Sequence, residues 1–253
     1  MTRAPYYADD LVTLYHGDCL EVDLPRVDLI VTDPPYGETS LGWDRWPDGW
    51  PSVAAKYSDA MWCFGSMRMF LDRRDEFADW KFSQDVVWRK NMGSGPVVDR
   101  FRRIHEFALH WYRGSWTDAT HDTPRTEWHG PRRQATQEAG SVVSKHRNQT
   151  ASRNLKWTDD GTRVQESVID VRSMHRRAVH PTEKPIGIVD PLIRYGCPPG
   201  GSVLDLFAGS GTTLVAAKAA GRNAVGVEAD EKYCEIAARR LSQEVLDFGG
   251  DVA

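Results

Sequence analysis

Cysteine is scarce in this chain, and its four copies lie far apart. Cys19, Cys63, Cys197 and Cys234 never form a C-x-x-C pair. That spacing speaks against a zinc site and against a disulfide scaffold, so no metal is expected and a reducing, cytoplasmic setting is the default. Long apolar runs are missing too. None approaches the roughly 20 residues that a membrane helix needs, and the start from Met1 to Asp10 is too polar for a secretory signal, so no membrane partner is expected. There is no internal repeat and no bulk excess of either charge, with a net value of -4. What remains is an ordinary globular composition, 40% hydrophobic and 27% charged. Its 253 residues suffice for one well-filled core carrying a modest insertion.

The small net charge conceals an uneven distribution. Between Arg100 and Arg177 there are 15 Lys and Arg against 9 Asp and Glu, a local +6, and the rest of the chain carries -10. Phosphate contacts are local, so the asymmetry matters more than the total. From about Gly114 to Val179 apolar periodicity nearly vanishes, and Trp116, Trp128 and Trp157 stand among basic residues. This stretch, 114–179, reads as an insertion between 1–113 and 180–253, which together form the main domain.

Around that insertion the pattern is strands alternating with turns and helices. Leu11 to His16 reads as a strand ending at Gly17-Asp18. Val27 to Thr32 (VDLIVT) is the apolar, β-branched run of a strand buried on both faces of a parallel sheet. Further strand candidates are Ala60 to Phe64, Gln84 to Trp88 and Arg103 to Tyr112. Near the C-terminus, strand Ser202 to Phe207, helix Thr212 to Ala220 and strand Ala224 to Glu228 follow one another, with Gly221 at the helix C-cap. Asp230 can cap a last helix running to about Leu246, with Tyr233, Ile236, Ala237 and Leu241 on one face. That order requires an α/β fold with a parallel sheet.

Two turns carry the chemistry. D-L-F-A-G-S-G-T-T, Asp205 to Thr213, joins a buried strand to a helix, and Gly209 and Gly211 allow a tight turn and close approach to a ligand. Glu228 follows at the end of the next strand, where nucleotide-type folds place an acid against ribose hydroxyls. A dinucleotide fingerprint would have a third glycine where Thr213 or Leu214 stands, and no P-loop lysine follows Gly211. A ribose ligand without phosphates, S-adenosylmethionine, fits better, and its positive sulfonium tolerates the surrounding acids.

The second turn, Asp33-Pro34-Pro35-Tyr36, stops the VDLIVT strand at its carboxyl end. An exocyclic amino group is a poor nucleophile because its lone pair is delocalised into the base. Acceptors on both N-H bonds let nitrogen become more tetrahedral: the Asp33 carboxylate supplies one and the Pro34 carbonyl can supply the other. Tyr36 offers a flat face for an extruded base.

With these motifs in place, the chain resembles the amino-methyltransferases of DNA, specifically their permuted β-group. T-D-P-P-Y-G (Thr32 to Gly37) matches the catalytic motif, F-A-G-S-G-T-T (Phe207 to Thr213) the cofactor loop, and H-P-T-E-K-P (His180 to Pro185) the segment before the cofactor strand. The resemblance implies a Rossmann-like, seven-stranded, mostly parallel methyltransferase sheet with circularly permuted motif order, in which the two motif strands are neighbours. It implies catalytic roles for Asp33, Pro34, Pro35 and Tyr36. Cofactor contacts would come from Asp33, Asp205, Phe207, Ala208, Gly209, Ser210, Gly211, Thr212 and Glu228, with Asp18 and Cys19 near the adenine and Thr182 and Lys184 near the methionine end.

It also places target recognition in the insertion, where Arg125, Arg132, Arg133, Lys145, Arg147 and Arg153 would grip phosphates or read guanine edges of double-stranded DNA. The expected reaction is site-specific methylation of the N6 amino group of a flipped adenine. Cytosine N4 remains open, although cytosine enzymes of this group more often carry Ser at the position of Asp33. RNA methylation and an inactive DNA-binding relative are the remaining alternatives. A homodimer and a cognate restriction endonuclease stay open as partners.

Overall fold

Residues far apart in sequence are interleaved in one sheet. The computed structural model describes residues 4–91, 98–130, 160–173 and 183–243. Along the chain its elements are β1 (Tyr7–Ala8), β2 (Val12–His16), β3 (Leu29–Thr32), α1 (Trp50–Ala54), β4 (Ala60–Gly65), α2 (Met67–Asp72), β5 (Lys81–Arg89) and β6 (His105–Tyr112). They continue with β7 (Arg125–Glu127), β8 (Thr162–Val164), β9 (Val168–Asp170), α3 (Ile186–Gly196), β10 (Ser202–Asp205), α4 (Thr212–Ala219), β11 (Asn223–Glu228) and α5 (Glu231–Ser242).

The main sheet has nine strands in the order β1-β2-β11-β10-β3-β4-β6-β5-β9. From β2 to β4 all pairings are parallel, and β6 runs antiparallel to both β4 and β5. The seven strands from β2 to β5 correspond to the expected sheet. The two extra strands are short edge additions, β1 of two residues and β9 of three. Strand β9 corrects one expectation: Val168–Asp170 falls within the span read as insertion yet pairs in parallel with β5. Its three residues are too few for periodicity to reveal. The chain divides into two compact units, Met1–Asp122 with Glu166–Ala253, and Thr123–Gln165. Within the second unit β7 and β8 form a two-stranded antiparallel sheet.

Alternation along the central strands divides the core in two. Leu29 and Val31 of β3, with Trp62 and Phe64 of β4, pack on the face covered by α3, α4 and α5. Ile30, Met61 and Cys63 point the other way, onto Trp46, Trp50, Phe70 and Phe77. Burial on both faces is why these strands read as continuous apolar runs.

Helix α5 starts as expected, with the Asp230 side chain accepting the Lys232 N-H at 2.9 Å. It is described as far as Ser242, and residues 244–246 of the expected helix lie outside the described residues. Helix α3 carries Pro191 in its interior and Gly187 in its first turn, which masks its apolar face (Ile188, Val189, Leu192, Ile193) from a periodicity reading. No helix among the described residues is long and apolar enough to cross a membrane.

On the α3 side, His110 is fully enclosed by Trp62, Tyr195 and Trp116, with ring centroids 4.7, 5.3 and 5.9 Å away. Neither ring nitrogen has a hydrogen-bond partner among the described residues. Burial first, and the nearby His121 second, pull its pKa down to about 4. The unfolded chain therefore takes up a proton below its ordinary pKa of about 6.5 that the folded chain refuses until about pH 4. Stability from this group is complete above about pH 6.5 and is lost as pH falls, by about 2 kcal/mol at pH 5. Urea unfolding at pH 7.5 and pH 5 should show that loss in the wild type and a smaller one in His110→Phe. Equal losses in both proteins would exclude His110 as the source.

Candidate active site

The carboxyl ends of β2, β11, β10 and β3 open into one cleft of about 890 Å³. Open α/β sheets place their ligands at that end, where neighbouring strands send their connections in opposite directions. The parallel pairing of β3 with β10 brings the two predicted turns together across 173 residues of sequence, and the Thr32 hydroxyl donates to Asp205 Oδ1 at 2.8 Å.

Every predicted catalytic residue lines this cleft: Asp33, Pro34, Pro35 and Tyr36. The Tyr36 hydroxyl donates to Asp33 Oδ1 at 2.7 Å. Burial, followed by the charges of Asp33 and Glu106, pushes the Tyr36 phenol up, so it stays protonated and donates. The expected flat face is present, but the phenol also has this second task. Beyond the turn, Asp44 accepts the backbone N-H groups of Gly37 and Thr39 at 2.8 and 2.7 Å, which pins the loop that leaves the motif.

On the other side, Glu228 ends β11 with both carboxylate oxygens facing backbone donors, Gly209 N-H at 2.7 Å and Asp230 N-H at 2.8 Å. Burial raises its pKa, opposed by these bonds. Asp18 and Cys19 follow β2, whose His16 is in register with Glu228, so they line the same wall. Phe207, Ala208, Ser210 and Thr212 line it as well, and Phe207 packs edge-on against Trp50 at 5.4 Å. Asp205 is buried; it accepts from Thr32 and from Phe207 N-H at 3.0 Å, and burial raises its pKa to about 6.

The two glycines of the loop differ. Gly209, at φ +51°, lines the cleft, and a Cβ there would meet nothing closer than 4.0 Å. Gly211, at φ +81°, caps α4 and does not line the cleft; a Cβ there would lie 2.9 Å from Ala237 Cβ. At Gly211 the left-handed φ serves the expected tight turn, and the absent Cβ lets α4 approach α5 closely.

Lys184 lines the cleft as well. It is buried, and its Nζ donates to Asp33 Oδ2 and lies 3.4 Å from Glu106 Oε2. Burial works against its charge, but the two carboxylates outweigh it and its pKa lies above the ordinary lysine value. Glu106 of β6 also pairs with Lys90, and these two ammonium groups hold it below the ordinary glutamate value against the effect of burial. Sequence reasoning missed Glu106 and Lys90. An acid in the middle of the largely apolar run RIHEFALHWY was the available signal. Arg240, also missed, donates to the carbonyl and hydroxyl of Ser210 at 2.8 and 2.9 Å and pairs with Glu183.

Of the predicted DNA contacts only Arg125 is described; it pairs with Asp160 at 3.4 Å and donates to the Thr162 hydroxyl at 2.6 Å. In the same unit Arg163 stacks over Trp128 at 5.1 Å. Arg132, Arg133, Lys145, Arg147, Arg153, Trp157 and Thr182 lie outside the described residues.

A doubly covered, mostly parallel sheet with both turns at its carboxyl edge defines the methyltransferase class of α/β proteins. Residues 27–239 match the N6/N4 methyltransferase family described as DNA methylase, and the chain belongs to that family. M.ScaI of Streptomyces caespitosus, a Type II methyltransferase, is 28% identical over 272 residues, covering 95% of this chain and 84% of that protein. The crystal structure of the M1.HpyAVI-SAM complex shares the fold at a TM-score of 0.61 and 22% identity, covering 91% of this chain and 100% of that one. PvuII DNA methyltransferase, cytosine-N4-specific, shares it at 0.62 and 15% identity, covering 98% and 90%.

The glycine geometry can be tested. Gly211→Ala combines a left-handed φ with a clash against the Cβ of Ala237 on α5 and should cost about 2 kcal/mol or more, whereas Gly209→Ala should cost about 1. Urea midpoints of the two variants would decide it, and equal losses would remove the distinction.

Proposed function

We propose that the protein is a site-specific DNA methyltransferase that uses S-adenosylmethionine to methylate the N6 amino group of adenine in double-stranded DNA. The observation that carries this reading is the meeting of Asp33 and the Gly209–Glu228 corner in one cleft, through the pairing of β3 with β10. The cleft suits the cofactor in charge: Asp18, Asp33, Asp205 and Glu228 line it, and a positively charged ligand is favoured among them. When bound, S-adenosylmethionine supplies a methyl group on a cationic sulfur.

The protein's own part is to hold and polarise the amine. A flipped base, extruded at a cost of a few kcal/mol, would lie against Tyr36. Asp33 accepts one N-H, the Pro34 carbonyl is suited to accept the other, and the proton released as nitrogen takes the methyl passes to an Asp33 oxygen. Tyr36 and Lys184 hold that carboxylate in place from two sides. Asp33, where cytosine enzymes of this group more often have Ser, supports adenine. The Type II naming of the relative supports a restriction partner.

Asp33→Ala should lower turnover at least about a thousandfold while affinity for neutral S-adenosylhomocysteine stays within about threefold. Expression in a methylation-deficient bacterial strain, followed by modification-sensitive long-read sequencing, tests the product. N6-methyladenine at one short motif is expected. N4-methylcytosine would keep the mechanism and overturn the base, and unmodified DNA would overturn the reading.

A further inference from the structure

Glu106 Oε2 is enclosed, yet it has no hydrogen-bond partner among the described residues. It lies on the cleft wall, 3.4 Å from the Lys184 ammonium but without the alignment of a hydrogen bond. An enclosed carboxylate oxygen with an ion pair but no hydrogen bond is costly unless the charge itself is needed. Four charges meet here, each from a different segment: Asp33 after β3, Lys90 after β5, Glu106 on β6 and Lys184 before α3. Their formal charges cancel. Lys184 bridges the two carboxylates, and Lys90 closes the set on the far side of Glu106 while lying over the Trp88 ring at 4.7 Å.

We propose that Glu106 is a positioning residue that shares the Lys184 ammonium with Asp33 and keeps this group of charges neutral, so that the cleft accepts a cationic methyl donor. Without Glu106, two ammonium groups would face one carboxylate, and the net positive charge would oppose the sulfonium through a poorly screened interior. Sharing has a second effect. As Asp33 turns its oxygens to the target amine, Glu106 retains the ammonium, so Lys184 is not left buried without a counter-ion. The inference rests on the proposed cofactor.

The test compares a cationic with a neutral ligand, which a purely structural role would not separate. Wild type, Glu106→Gln, Lys90→Gln and the double variant are titrated by calorimetry with S-adenosylmethionine and with S-adenosylhomocysteine, its neutral thioether counterpart. Glu106→Gln should lower the preference for the cationic ligand about tenfold, and Lys90→Gln should raise it by about threefold. The double variant should fall between the two, about threefold below the wild-type ratio. If Glu106→Gln fails to fold, the half-buried Lys90 carries the test with the opposite sign. A ratio unmoved by Lys90→Gln, or moved in the same direction by both single variants, overturns the charge role. A wild type that binds neither ligand overturns the cofactor reading itself, which is a distinct result.

Discussion

Asp205 sits at the centre of the sheet with almost no access to water, and its carboxylate holds the two halves of the site together. One of its oxygens accepts the Thr32 hydroxyl and the Phe207 N-H, so the residue before the Asp33 turn and the first residues of the glycine loop share one acceptor. Burial makes that acceptor expensive, as its pKa of about 6 indicates, and the bonds it receives oppose the cost. The arrangement fixes the distance between the Asp33 turn and the Gly209–Glu228 corner of the cleft. It does so from strand ends that are themselves held in register by backbone hydrogen bonds. Loops hung on such an anchor can differ in length and composition without moving the reacting groups.

Around that anchor the cleft is lined mainly by acids, and a few basic groups stand against some of them. Lys184 is drawn into the interior by Asp33 and Glu106, and Arg240 reaches Ser210 and Glu183 from α5. Acids thus remain available where a cation is to be bound, and basic groups stand behind them where a carboxylate would otherwise be unpaired. A site with acids alone would resist ionisation, and one with lysines exposed would repel the methyl donor.

Much of this was legible in the sequence because single elements carry it. VDLIVT can be read as a doubly buried strand since every residue of Leu29–Thr32 is buried. The Asp33 and Gly209 turns announce themselves through proline, glycine and terminal acids. The charge group was not legible, because its members come from four segments and meet only through the sheet order. Helix α3 was obscured by Pro191, which ordinarily ends a helix, and β9 by its three-residue length. The packing of Gly211 against Ala237 was not legible: sequence shows that a glycine is present, whereas only packing shows which neighbour requires it.

Strand order also constrains how the molecule is made. β10 lies between β3 and β11, and β11 pairs with β2, so both N-terminal strands wait for partners encoded beyond residue 200. On a ribosome adding about 5–20 residues per second, the interval between β3 and β10 is on the order of ten to thirty seconds. Throughout it Leu29, Ile30 and Val31 have β4 as a neighbour on one side and an open ladder edge on the other. β2 waits longer still, for β11, but of the two it is β3 that is buried at every residue. The more apolar open edge of the nascent chain is thus the one that leads into Asp33, and chaperone binding during synthesis would be concentrated there.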